Sequence, residues 1–241
     1  MLDGASRVKD LVQVAARDGQ PALAITDHGN MYGVLDFFRA CREEGITPII
    51  GTEAYMAAES RHERPVRRGR VDDTGGEVEG GQKLYYHLTL LAETNQGYRN
   101  LLKLSSAAYL EGYYYKPRVD WELLERHHEG LIATTGCLGG LVPQAALAGD
   151  LPRARRLAGR LQDIFGRGQL FVEVQDHGIG AQRTVNPALI EIARQVGIPL
   201  VATNDSHYTH RGDAESHDAL LCVQTGTSID DPKRFRFEGT E

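Results

Sequence analysis

An acid, an imidazole and a glycine stand together at Asp27, His28 and Gly29, directly after the apolar run Ala22-Leu-Ala-Ile25. A second acid and imidazole, Asp205 and His207, follow the run Pro199-Leu-Val-Ala202. Between them Glu53, His87 and Cys137 each lie in or at the end of a further apolar run. Imidazole, carboxylate and thiol together are the donor set of zinc or another borderline first-row metal, rather than of magnesium or calcium. Two or three such ions at one rim would polarise a phosphate ester, acidify a bound water and stabilise the leaving oxygen. That is the chemistry of a phosphoesterase or nuclease, with Asp27, His28, Asp205 and His207 as the catalytic candidates.

Each residue also has an ordinary explanation. His87 sits early in its run and suits a packed histidine bonded to a backbone group as well as a ligand. Cys137 alone would be an inert buried thiol. Asp176 and His177, followed by Gly178, carry normal turn chemistry. The joint occurrence of such residues at strand ends outweighs any one of them.

The elements that would position these groups alternate. Residues 22–25, 47–56, 85–92, 131–137, 170–174 and 199–208 read as six strands. Helical spacing links Val8, Leu11, Val12 and Ala15, with Ser6 as N-cap, and then Val34, Leu35, Phe37, Phe38 and Cys41. Further helices are expected at 97–110, with Leu101, Leu102 and Leu104 inward, and at 121–128, 151–165, 187–196 and 213–223. Strands alternating with helices imply a parallel sheet, open or closed into a barrel, whose carboxyl ends gather the site.

Residues 57–81 break the rhythm. They are rich in Arg, Asp, Glu and Gly, and read as a solvated loop inserted into one domain spanning 1–241. Arg61, Arg64, Arg67, Arg68 and Arg70 could touch phosphates, although charge runs usually face solvent. The run Tyr113-Tyr-Tyr115 before Lys116 could stack on bases, although aromatic runs more often form core or subunit contacts.

The 241 residues carry a net charge of -6, with a pI near 5.9, so nucleic acid would have to be met by a local patch. Cys41, Cys137 and Cys222 are far apart and suit reduced thiols in the cytoplasm. No stretch is long and apolar enough for a membrane span, and no membrane role is expected.

The segments Thr26-Asp-His-Gly-Asn-Met-Tyr-Gly33, Pro48-Ile-Ile-Gly-Thr-Glu-Ala-Tyr55, His87-Leu-Thr-Leu-Leu-Ala92, Thr134-Thr-Gly-Cys-Leu-Gly-Gly140, Gln175-Asp-His-Gly178, Ala202-Thr-Asn-Asp-Ser-His-Tyr208 and Ala219-Leu-Leu-Cys-Val-Gln-Thr-Gly226 carry a resemblance. They resemble the polymerase and histidinol phosphatase (PHP) domain, in the form found at the amino-terminal region of bacterial C-family replicative polymerases, the DNA polymerase III alpha subunits. The resemblance implies a distorted seven-stranded β/α barrel with a metal cluster at the strand ends. It implies Asp3, His28, Glu53, His87, Cys137, Asp205 and His207 as metal ligands, zinc being favoured over manganese, and Asp27 as a neighbour that orients the site. It further implies that a first strand with a His-x-His pair would precede Met1, so that the chain is a fragment cut at both ends. The polymerase parts, with their magnesium, would lie elsewhere in the parent protein, whose partners would be DNA and the other replicative subunits. The activity implied is 3'-5' exonuclease or phosphoesterase chemistry, or a scaffold role. A free-standing phosphatase and a non-catalytic docking module are the alternatives.

Overall fold

Amphipathic and apolar runs alternate at the start. They give α1 (Val8–Arg17), β1 (Ala22–Ile25), α2 (Val34–Glu44) and β2 (Thr47–Met56) in a computed structural model that describes residues 3–68, 77–78 and 83–237. The strands β1 and β2 are parallel, with Ile25 beside Ile50. The two helices pack together through Val12, Ala15, Phe37 and Cys41, against Leu23 and Ile25 of β1. The N-cap of α1 is Arg7 rather than Ser6, and it makes no side-chain cap bond. Just upstream the Ala5 N–H donates to His207 O at 2.7 Å and ties the entering chain to the far edge of the sheet.

The sheet then departs from the parallel expectation. Between β2 and β5 (Tyr86–Ala92) the described residues contain no helix, only the two-residue pair β3 (Arg67–Arg68) and β4 (Glu77–Val78). A parallel neighbour needs a long crossover, usually helical. Without one the chain returns antiparallel, Met56 lying beside Tyr86 and Gly51 beside Leu91. After α3 (Asn95–Leu110), β6 (Arg118–Val119) and α4 (Trp121–His127), strand β7 (Leu131–Thr134) is antiparallel to β5 in turn. The helices α5 (Leu141–Leu147), α6 (Leu151–Phe165) and α7 (Gly180–Val196) then connect or follow β7 and β8 (Leu170–Val174). Strands β7, β8 and β9 (Leu200–Ala202) are parallel, and α8 (Ala214–Thr225) follows.

The order is β1-β2-β5-β7-β8-β9, with β6 beside the end of β2 as an unanticipated seventh strand. Although β1 and β9 are opposite edges, the rings of His28 and His207 beyond them are 6.3 Å apart. The sheet must therefore curl until its edges face each other. Residues 3–5 bridge the gap: His217 Nε2 of α8 donates to Asp3 O at 2.7 Å, beside the Ala5 contact. The result is a distorted seven-stranded β/α barrel, mixed rather than parallel and open between β9 and β1.

The main core lies between β2, β5, β7 and β8 and helices α3 to α7, with Leu88, Leu90, Leu101, Leu104, Leu124 and Val172 fully buried. Each such leucine contributes about 1.5–3 kcal/mol. Leu102 is exposed, against expectation, because it lies a hundred degrees around α3 from its neighbour Leu101. Helix α7 starts at Gly180 and takes Pro187 into its interior, rather than starting at that proline. Its first turn is held by Gln182, whose side-chain oxygen accepts from the His177 N–H at 2.8 Å.

The loop after β2 is not uniformly solvated. Arg61 is buried, its guanidinium on Asp120 at 2.9 Å, Glu122 at 3.0 Å and Glu111 at 2.7 Å. Asp120 also caps α4 through the Leu123 N–H. A guanidinium can leave water only with partners of this kind. Arg64 donates to the carbonyls of Arg61, Glu63 and Glu111. Arg67 and Arg68 form β3, and Arg70 lies outside the described residues. Replacing Arg61 by Ala should strand the buried Asp120 and cost roughly 3 kcal/mol in urea denaturation; an unchanged midpoint would contradict this account.

Candidate metal centre

The Asp-His-Gly turn is sewn to β2. Thr52 Oγ1 shares its one proton between the carbonyls of Asp27 and Asn30, at 2.9 and 2.8 Å, and the Gly29 N–H donates to Glu53 O at 2.8 Å. Asn30 donates its side-chain amide to His28 O. Gly29 has φ +65°, and a Cβ there would lie 2.8 Å from the buried Tyr55 ring, so a side chain would push the turn off β2. His28 and Glu53 therefore sit side by side as a parallel bridge. The Asp27 carboxylate accepts from the Gly33 N–H at 2.8 Å and shapes the turn into α2.

The antiparallel course of β5 explains His87. The start of an antiparallel strand is level with the ends of its neighbours, so an early residue reaches the same rim. His87 Nδ1 is 2.6 Å from Glu53 Oε1. The Gly-rich loop after β7 folds over the ring: His87 N–H donates to Gly139 O at 3.0 Å, and a Cβ on Gly139 would lie 3.0 Å from His87 Nδ1. That loop brings Cys137 Sγ to 3.4 Å from His87 Nδ1 and 3.7 Å from Glu53 Oε1.

Across the opening, Asp205 has φ +51°, a left-handed conformation unusual for a residue with a side chain. His207 Nδ1 donates to Asp205 O at 2.7 Å, which turns Nε2 toward Asp3 Oδ2 at 3.5 Å, where a proton or a metal ion can sit between them. Asp3 Oδ1 is 3.2 Å from His28 Nε2. Among the described residues two triads place ligand-type atoms within 4.8 Å of one another: Asp3, His28 and His207, and His28, Glu53 and His87. Asp205 is in neither, although its charge acts on His207 and His28. Asp176 stays in local turn chemistry, accepting from the Gly178 N–H, and His177 pairs with Gln182.

The donors suit a divalent ion. His28 Nδ1 lies 3.3 Å from Glu53 Oε2 without forming a hydrogen bond, and His87 Nε2 is buried with no partner. Leaving such nitrogens unsatisfied costs about 1–3 kcal/mol each, and a metal would satisfy them. Without metal, protons take its place. Burial alone would lower the pKa of His28, but the Glu53 and Asp3 carboxylates outweigh it and raise it to about 10. His207 is likewise raised to about 9 against burial, by Asp3 and Asp205. Glu53 is lowered to about 2, its burial outweighed by His28 and His87, and Asp3 is lowered by His207 and His28. Burial raises Asp205, Glu173 and Cys137, and the neighbouring carboxylates push Asp205 and Cys137 further up.

Sequence reasoning missed His217 and Glu173. His217 pins Asp3 through its backbone carbonyl. Glu173 accepts from Thr134, Thr203 and Gln175 behind the rim. A polar residue inside an apolar helix or strand was the available signal for each.

The raised histidines contribute stability that is fully present below pH 6.5 and is lost as pH rises through about 9 to 10. The buried acids with raised pKa act in the same direction. In chelator, the thermal midpoint should fall steadily from pH 6.5 to 10; with saturating zinc the fall should shrink or reverse, since zinc needs the deprotonated ligands. Scanning calorimetry over that range checks both, and a metal-free midpoint independent of pH would contradict the charge arrangement.

Residues 1–177 match the family model of the PHP domain. The chain is 48% identical to the DNA polymerase III alpha subunit of Treponema pallidum over all of its length, and 46% identical to that of Thermus aquaticus over 98%. It spans about a fifth of the length of these relatives, 20% and 19% respectively. An amidohydrolase structure from Chromobacterium violaceum with bound sulfate is 15% identical, with a TM-score of 0.48 over 86% of this chain and 84% of that one. The chain belongs to the PHP domain family.

Proposed function

We propose that the chain is the metal-dependent phosphoesterase domain of a replicative DNA polymerase alpha subunit, acting in the cytoplasm on the 3' end of a DNA strand. The observation that carries this reading is that His28 belongs to both ligand triads, through Nε2 toward Asp3 and Nδ1 toward Glu53. Asp3, His28, Glu53, His87, Cys137, Asp205 and His207 would hold the ions, zinc before manganese. When bound, such ions supply Lewis acidity to a phosphate ester and an acidified water. The chain's own residues prepare the site. The Asp205 carbonyl fixes the His207 tautomer, Gly139 leaves room for the His87 ring, and Thr52 sets the height of His28. Polymerisation and contacts with other replicative subunits would belong to the parent protein.

A second reading is favoured by the ion pairs themselves. Protonated His28 and His207 compensate Asp3 and Glu53 without any metal, as a structural clamp in a non-catalytic docking module would require. Zinc- or manganese-dependent removal of 3' nucleotides from a labelled oligonucleotide separates the two. The first reading predicts cleavage that is abolished by chelator and reduced at least about 100-fold in Asp205→Asn and His207→Ala. A folded chain that neither binds metal nor cleaves would favour the clamp.

A further inference from the structure

The tyrosine run before Lys116 divides in the structure. Tyr114 turns inward: its hydroxyl donates to Pro65 O at 2.9 Å, and the guanidiniums of Arg64 and Arg118 lie 5.5 and 5.2 Å from its ring centre. Tyr113 and Tyr115 turn outward, 55% and 46% exposed. Tyr113 stacks on Tyr109 at 6.1 Å and 29°, and the Tyr109 hydroxyl, its pKa pushed up by burial and by the neighbouring Tyr32, lies beside that residue, which is 79% exposed on the Asp-His-Gly turn. Tyr115 sits at φ +63° at the tip of a hairpin closed by the bridge between Tyr114 and Lys116. Such a conformation costs on the order of 1–3 kcal/mol and is commonest at functional sites.

This surface adjoins the metal rim. Because β6 runs parallel to β2 with Arg118 beside Tyr55, the residues just before Arg118 run level with the Glu53 end of β2. Lys116 Nζ is 5.1 Å from the Tyr55 ring centre, and that ring stacks on His28 at 5.9 Å and 10°. Half-exposed tyrosine rings next to a cation suit a partner with flat rings and a charged backbone, and every nucleobase offers a π-face. On a chain of net charge -6 the contact has to be local.

We propose that Tyr32, Tyr109, Tyr113 and Tyr115, with Lys116, form a stacking platform that holds the last nucleotides of a single-stranded nucleic acid beside the metal rim. The fate of the bound end rests on the phosphoesterase reading, whereas binding does not. The test is fluorescence anisotropy of a labelled ten-nucleotide oligothymidylate on the full 241-residue chain, in chelator, across a salt series. Tyr113→Ala should weaken binding about 5- to 100-fold while Tyr113→Phe retains it. Lys116→Ala should weaken binding and reduce the salt slope by about 0.7. Circular dichroism melts of each variant separate loss of stacking from loss of fold. No binding by the wild-type chain, or unchanged affinity in folded Tyr113→Ala and Lys116→Ala, would overturn the platform and leave the tyrosines to a protein contact. Zinc affinity of the wild-type chain, measured separately, shows whether the phosphoesterase reading fails instead: strand binding without zinc binding sinks that reading and keeps the platform.

Discussion

Charged carboxylates cannot be buried beside one another unless cations stand between them. At the rim of this barrel the cationic positions are taken by imidazoles, with His28 between Asp3 and Glu53 and His207 on the far side of Asp3. Much of the architecture follows from that requirement. The sheet must curl far enough for the ends of β1 and β9 to share Asp3, the strand β5 must reverse so that His87 meets Glu53, and residues 3–5 must be held across the gap. His217, in α8, supplies that last restraint. The same atoms can be neutralised by protons or by divalent ions, and this double capacity connects stability, pH and metal binding.

The strand-end residues were legible because chemistry-bearing side chains after apolar runs are uncommon by chance. The fold brings His28, Glu53, His87 and Cys137 together at one rim. The direction of β5 was not legible. Local pattern reports a strand but not its orientation, which is set by the connection, and the residues before β5 supply no crossover helix among those described. Reversal also removes the objection that His87 lies too early in its strand.

Other departures have a common origin in tertiary context. A run of charges does not reveal that Arg61 will be buried, because Asp120 and Glu122, its partners, are about sixty residues away. The helix expected at 187–196 begins instead at Gly180, where Gln182 accepts from His177 N–H, and carries Pro187 inside it. Asp3 had no local signal at all, since its neighbours are brought to it from α8 and from beyond β9.

The central claim is that these paired histidines and carboxylates form a metal site. Calorimetric titration of zinc into the chelator-treated chain at pH 7.5, in two buffers of different ionisation enthalpy, tests it most directly. Zinc should bind saturably and release more than about one proton per chain, because His28 and His207 are protonated before the metal arrives. Saturable binding without proton release, or no binding at all, would contradict the account.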